Sequence, residues 1–128
     1  MELWVFNVER GLCVLVRTPT GFGVMIDCGW SKNFSPAEWI ASSSGPVLTN
    51  WQGKKLALLV VTHPHDDHVE DISNLTIYLP PAILIRHKDY NWQAVLNPPD
   101  GDPSAHAKVY YAWQQTYSEP ADQWPDLG

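Results

Sequence analysis

Residues 60–72 read VVTHPHDDHVEDI. Three of the chain's five histidines (His63, His65 and His68) fall within six positions there, beside Asp66 and Asp67. The preceding run is apolar, so the cluster sits where a buried strand gives way to polar sequence. Two histidines one residue apart on extended backbone can aim both imidazoles at one cation. Asp67 and His68, past the bend, can reach a second cation a few ångströms away. Imidazole with carboxylate suits zinc, manganese or iron. Two such cations can share a water, lower its pKa and clamp both oxygens of a displacement. The competing reading is a polar turn in which the histidines cap a helix and Asp66 or Asp67 supplies N-terminal charge. Four ligand-type side chains together between a strand and a helix favour the metal reading.

The elements that must hold this cluster are legible on either side of it. "ELWVFNV" (2–8), "GLCVLVRT" (11–18) and "GVMIDCG" (23–29) are rich in β-branched and aromatic residues and read as strands. The Pro/Gly turn "PTGFG" (19–23) joins the last two as a hairpin. Both of these strands are apolar on each face, which predicts a sheet covered on both sides. Ser35 as N-cap and Pro36 as first helical residue predict a short helix over 35–43. "LALLVVT" (56–62) reads as a buried central strand. After the histidines, Val69, Ile72, Leu75 and Leu79 recur at helical spacing, and Pro80-Pro81 ends that helix near Tyr78. A strand over 82–87, a short helix over 88–96, a break over 97–103 and a helix over 104–117 capped by Ser104 complete the pattern. Strands alternating with helices after an opening hairpin predict an α/β fold with a mixed sheet.

Composition narrows the function. The chain has 128 residues, 45% of them hydrophobic and 17% charged, enough to bury the core of one modest domain. A formal charge of −6 argues against a basic nucleic-acid face. Four acids, Asp66, Asp67, Glu70 and Asp71, crowd the histidines, where bound cations would offset them. Cys13 and Cys28 are the only cysteines. Two reduced core thiols, rather than a disulfide framework, are expected of them. Met1-Glu2-Leu3-Trp4 opens directly on strand-like sequence. No signal peptide or membrane span is therefore expected, and a soluble cytoplasmic protein is. Of the seven tryptophans, most should anchor the core, whereas Trp92, Trp113 and Trp124 lie where a partner could dock. Lys54-Lys55 reads as a solvated pair.

The segment "THPHDDH" is similar to the His-x-His-x-Asp-His signature of the metallo-β-lactamase-fold hydrolases, and "FNVERGLCVLVRTPTGFGVMIDCGW" resembles that fold's opening strands. The likeness covers roughly residues 2–87 and is greatest to ComEC-like members. In that group a Val-Gly-x-Gly-like turn precedes a strand ending Ile-Asp-x-Gly. Here the strand end reads "MIDCG", while the turn reads "VERG", a departure from the pattern.

The resemblance implies a four-layer αββα sandwich, of which this chain would be the N-terminal half, a mixed sheet with flanking helices. It implies that His63 and His65 hold a first metal, and Asp67 and His68 a second. Asp67 would also accept a proton from a bridging water, and Asp27 would orient a ligand histidine. The cofactor implied is zinc, one or two ions, with manganese or iron as alternatives. In the family the remaining ligands come from the second half of the fold. Of the other histidines, His87 at a strand end is expected at the surface and His106 in the first turn of a helix. Either the chain is a fragment whose second half is absent, or a homo-oligomer or a partner protein completes the fold.

Two functions follow. One is a metal-dependent hydrolase acting on phosphodiesters, nucleic acid included, with carboxylic or thiol esters and lactams as the alternatives within the same chemistry. The other is a non-catalytic interaction module that keeps the first half of the fold for docking.

Overall fold

A computed structural model describes residues 1–42, 56–86 and 92–117. Expectations placed on Lys54-Lys55, His87, Trp124 and the tail after Tyr117 lie outside the described residues. Five strands form one sheet in chain order: β1 (Glu2–Val5), β2 (Val14–Arg17), β3 (Gly23–Ile26), β4 (Leu56–Val61) and β5 (Pro81–Arg86). The first three pair antiparallel, whereas β3–β4 and β4–β5 pair parallel, so the sheet is mixed as expected. Parallel neighbours need crossovers. The helices that follow β3 and β4 are α1 (Pro36–Ala41), then α2 (Asp66–Val69) and α3 (Ile72–Tyr78). Two more helices, α4 (Trp92–Leu96) and α5 (Ala105–Thr116), follow β5.

Register explains the core. Trp4, Leu15, Met25, Leu59 and Leu84 pair in one row across the five strands. Leu15, Met25, Leu59 and Leu84 are buried together with Ile40 of α1, Ile72 and Leu75 of α3, and Tyr110 and Trp113 of α5. Each such aliphatic side chain contributes about 1.5–3 kcal/mol by leaving water. Trp113 therefore belongs to this core and not to a docking surface. The Ser35 hydroxyl accepts the Glu38 N–H at the start of α1, and that of Ser104 accepts the Ala107 N–H at the start of α5, as both caps predict.

Two expectations are corrected. The helix after the histidines is broken at Glu70–Asp71 into α2 and α3. Asp71, 1% exposed, accepts Ser35 Oγ–H and the Ala37 N–H at the start of α1, each at 2.7 Å, and the Nδ2–H of Asn74 in α3 at 2.8 Å. It therefore joins two helices and does not crowd the histidines.

The sheet is also covered on only one side by the described residues. The opposite face carries Leu3, Val16, Val24, Leu58 and Ile83 in one row and Val5, Val14, Ile26, Val60 and Ile85 in the next. All ten are aliphatic and none is buried, with Leu3 64% and Val5 68% exposed.

Candidate metal centre

β3 and β4 are parallel neighbours, so their carboxyl ends lie side by side, where ligands of open α/β sheets are bound. Asp27 leaves the end of β3 and Thr62-His63 the end of β4. Asp27 has φ 53°, a left-handed conformation that costs a non-glycine residue about 1–2 kcal/mol. Such strain persists where surrounding contacts fix it. Here its N–H donates to the Val60 carbonyl at 2.8 Å, while its fully buried carboxylate accepts three bonds. The Thr62 N–H donates to Oδ1 at 2.7 Å. The Thr62 hydroxyl at 2.7 Å and His68 Nδ1 at 2.8 Å reach Oδ2.

Backbone pairing brings His68 to that carboxylate. The Cys28 N–H donates to the His68 carbonyl and the Asp71 N–H to the Cys28 carbonyl, which clips α2 onto the residue after Asp27. Two glycines let the loop close over it. A Cβ on Gly11, at φ 76°, would lie 1.6 Å from the Asp67 carbonyl oxygen, and one on Gly29 would lie 2.8 Å from the same atom. The loop before β2 and the segment after β3 thus touch the backbone of the aspartate in the motif. On the far side, the Ser104 hydroxyl at the start of α5 donates to Asp66.

Donor atoms of His63, Asp67 and His68 all lie within 4.8 Å of one another, and His68 Nε2 stands 3.7 Å from Asp67 Oδ2. Ligands at about 2.0–2.2 Å around a tetrahedral zinc are about 3.4 Å apart, so a small closure brings this trio to bonding distance. The donor chemistry fits as well. With Nδ1–H of His68 given to Asp27, Nε2 keeps the lone pair a cation needs. Burial and the neighbouring His68 and His65 rings push His63 below its ordinary value, Asp27 and Asp67 opposing, so its neutral, ligating form is favoured.

The grouping differs in one respect from the sequence expectation, which joins His63 with His65. The His65 ring stands edge-on to that of His63, with centroids 4.8 Å apart, but outside the converging trio. His65 occupies the N-cap position of α2 yet makes no side-chain capping bond. Helix capping therefore does not account for it. His106 is the second residue of α5 and is not among the converging trio, and its buried Nδ1 has no hydrogen-bond partner among the described residues.

Sequence reasoning missed Thr62, whose only signal is a hydroxyl residue leaving a strand directly before the first histidine. It also missed the contact that Gly11 and Gly29 make with Asp67.

Beside the loop lies a groove of about 490 Å³ between His65-Asp66 and the segment from α4 to α5. Its walls are Ala94, Val95, Pro98 and Ala107, and its rim includes Asp100 and Asp102. Its place next to the trio gives a substrate somewhere to lie. No described helix is long and apolar enough to cross a membrane.

Residues 7–108 match the family model of the metallo-beta-lactamase superfamily. No curated protein and no solved structure matches the chain. The match spans most of the sequence and takes in both strand ends and the whole histidine loop. The chain belongs to the metallo-beta-lactamase superfamily.

Proposed function

We propose that this protein is a metal-dependent hydrolase in which His63, His65, Asp67 and His68 hold one or two divalent cations, zinc first, with manganese or iron as alternatives. The observation that carries the reading is the convergence of His63, Asp67 and His68 donors above the buried Asp27 carboxylate. When bound, a divalent cation supplies Lewis acidity and lowers the pKa of water at the site toward neutrality. Asp67 is half-exposed beside that position and would accept a proton from a water held there. Asp27 orients His68 and does not touch substrate.

The substrate class proposed is a phosphodiester, on the resemblance to ComEC-like members. The groove's carboxylates, Asp66, Asp100 and Asp102, repel a polyanion, so a small or partly neutral diester suits it better than a long nucleic acid. The chain is read as the first half of an αββα sandwich. The ten-residue aliphatic sheet face supports this, because it offers a second sheet an uncharged surface to pack on at about 10 Å. A second copy meets that face without burying a charge. Two buried free cysteines suit the reducing cytoplasm.

The test is a zinc-loaded sample assayed on a chromogenic phosphodiester, a carboxylic ester, a thioester and a lactam, with sedimentation to read oligomeric state. Chelator-sensitive turnover of the diester, lost in His68→Ala, is expected. Turnover of an ester or lactam alone would replace the substrate class. Metal binding without turnover of any substrate would favour the docking-module reading, which the uncovered sheet face supports.

A further inference from the structure

We propose that Thr62 is a positioning residue of the metal centre. Its hydroxyl joins Asp27 to His63 in one proton chain, which fixes His63 as the Nδ1–H tautomer. The inference rests on the ligand reading of His63 for its consequence, though not for the tautomer itself.

The argument is proton accounting. An Asp27 carboxylate has no proton to give, so every short contact to it must be a donated bond. The Thr62 hydroxyl lies 2.7 Å from Asp27 Oδ2 and 3.1 Å from His63 Nδ1. It has a single proton, which the carboxylate takes. The hydroxyl oxygen can then only accept from His63, so His63 Nδ1 must carry hydrogen and Nε2 must carry the lone pair. The reverse tautomer sets two lone pairs against each other, or turns the hydroxyl away from a fully buried carboxylate. His68 receives the same instruction directly, because its Nδ1 donates to the same Oδ2 at 2.8 Å. One buried aspartate thereby sets two histidines, the nearer through its own oxygen and the other through Thr62.

Residue type and backbone support the role. Thr62 is gripped twice by Asp27, through its N–H and its hydroxyl, and a β-branched side chain has few χ1 choices once so held. The left-handed φ of Asp27 brings its carboxylate to the start of the motif. Partners of this kind typically alter metal affinity 10–100-fold when removed.

The experiment compares wild type, Thr62→Val and Thr62→Ser as full chains. Long-range ¹H–¹⁵N NMR on the metal-free proteins at mildly alkaline pH reads each histidine tautomer. Amide dispersion reports whether each variant folds, and zinc titration follows. Expected is an Nδ1–H His63 in wild type and Thr62→Ser. In Thr62→Val that tautomer is lost and zinc binding weakens roughly 10–100-fold, while Thr62→Ser stays near wild type. An Nε2–H His63 in wild type, or a tautomer unmoved by Thr62→Val, overturns the proposal. A moved tautomer with unchanged zinc affinity overturns the positioning role. Should Thr62→Val not fold, the wild-type and Thr62→Ser spectra still decide the tautomer. If wild type binds no zinc, the metal reading fails on its own, and the tautomers still decide whether the chain from Asp27 to His63 exists.

Discussion

Replacing Gly11 with alanine tests how the loop before β2 holds the motif. Gly11 sits at φ 76°, and an added methyl carbon would fall 1.6 Å from the Asp67 carbonyl oxygen and 2.5 Å from its carbonyl carbon. Non-bonded carbons settle at about 3.5–4.0 Å, so the backbones must separate by more than an ångström. No rotamer relieves this, because both partners are main chain or Cβ. The left-handed conformation costs alanine about 1–2 kcal/mol. Overpacking adds about 1–3 kcal/mol, giving about 2–5 kcal/mol in all. Gly21→Ala is the control, since Gly21 has φ 90° with nothing among the described residues within 4 Å of the added carbon. It should lose only the conformational part, about 1–2 kcal/mol. Urea unfolding of both variants gives the difference, and zinc titration asks whether displacing Asp67 weakens the site. If Gly11→Ala loses no more stability than Gly21→Ala, the close approach of the loop to Asp67 is wrong.

Glu9 has φ 63° in the turn between β1 and β2. Glu9→Gly should relieve about 1–2 kcal/mol of strain against about 0.5–1 kcal/mol of added chain entropy, raising the urea midpoint slightly. Asp71→Asn should cost about 1–3 kcal/mol, because an amide cannot accept from Ser35, Ala37 and Asn74 without setting a donor against a donor. Burial pushes the Asp71 carboxyl above its ordinary 3.8, with those three donors opposing. The folded state therefore holds this proton more tightly than the unfolded chain. The associated stability is complete below the unfolded pKa and is lost as pH rises through the folded one. The advantage of wild type over Asp71→Asn should accordingly shrink as pH rises from about 4, measured by urea unfolding at a series of pH values.

Much of the positioning scaffold is legible in the sequence because it is local. Ser35-Pro36 and Ser104 announce helix starts through side-chain chemistry that needs no partner elsewhere. "LALLVVT" announces a buried strand by composition alone. What stays hidden depends on contacts distant in sequence. The helical spacing from Val69 to Leu79 runs unbroken through Asp71, and only the arrival of α1 with its free N–H groups shows why the helix breaks there. The apolar residues on both faces of β2 and β3 look like a sheet covered twice, but sequence cannot tell a buried face from one waiting for cover. At the site, the motif marks His63, Asp67 and His68, whereas Thr62 looks like an ordinary strand residue until its hydroxyl is seen between Asp27 and His63.

The most direct test of the metal centre is elemental analysis of the purified full chain, wild type beside His68→Ala, after zinc loading and removal of free metal. His68 is the variant of choice because it joins the converging trio to the buried Asp27. The account predicts about one or two zinc ions per wild-type chain and a marked loss in His68→Ala. Wild type without zinc, or His68→Ala retaining the wild-type amount, would contradict it.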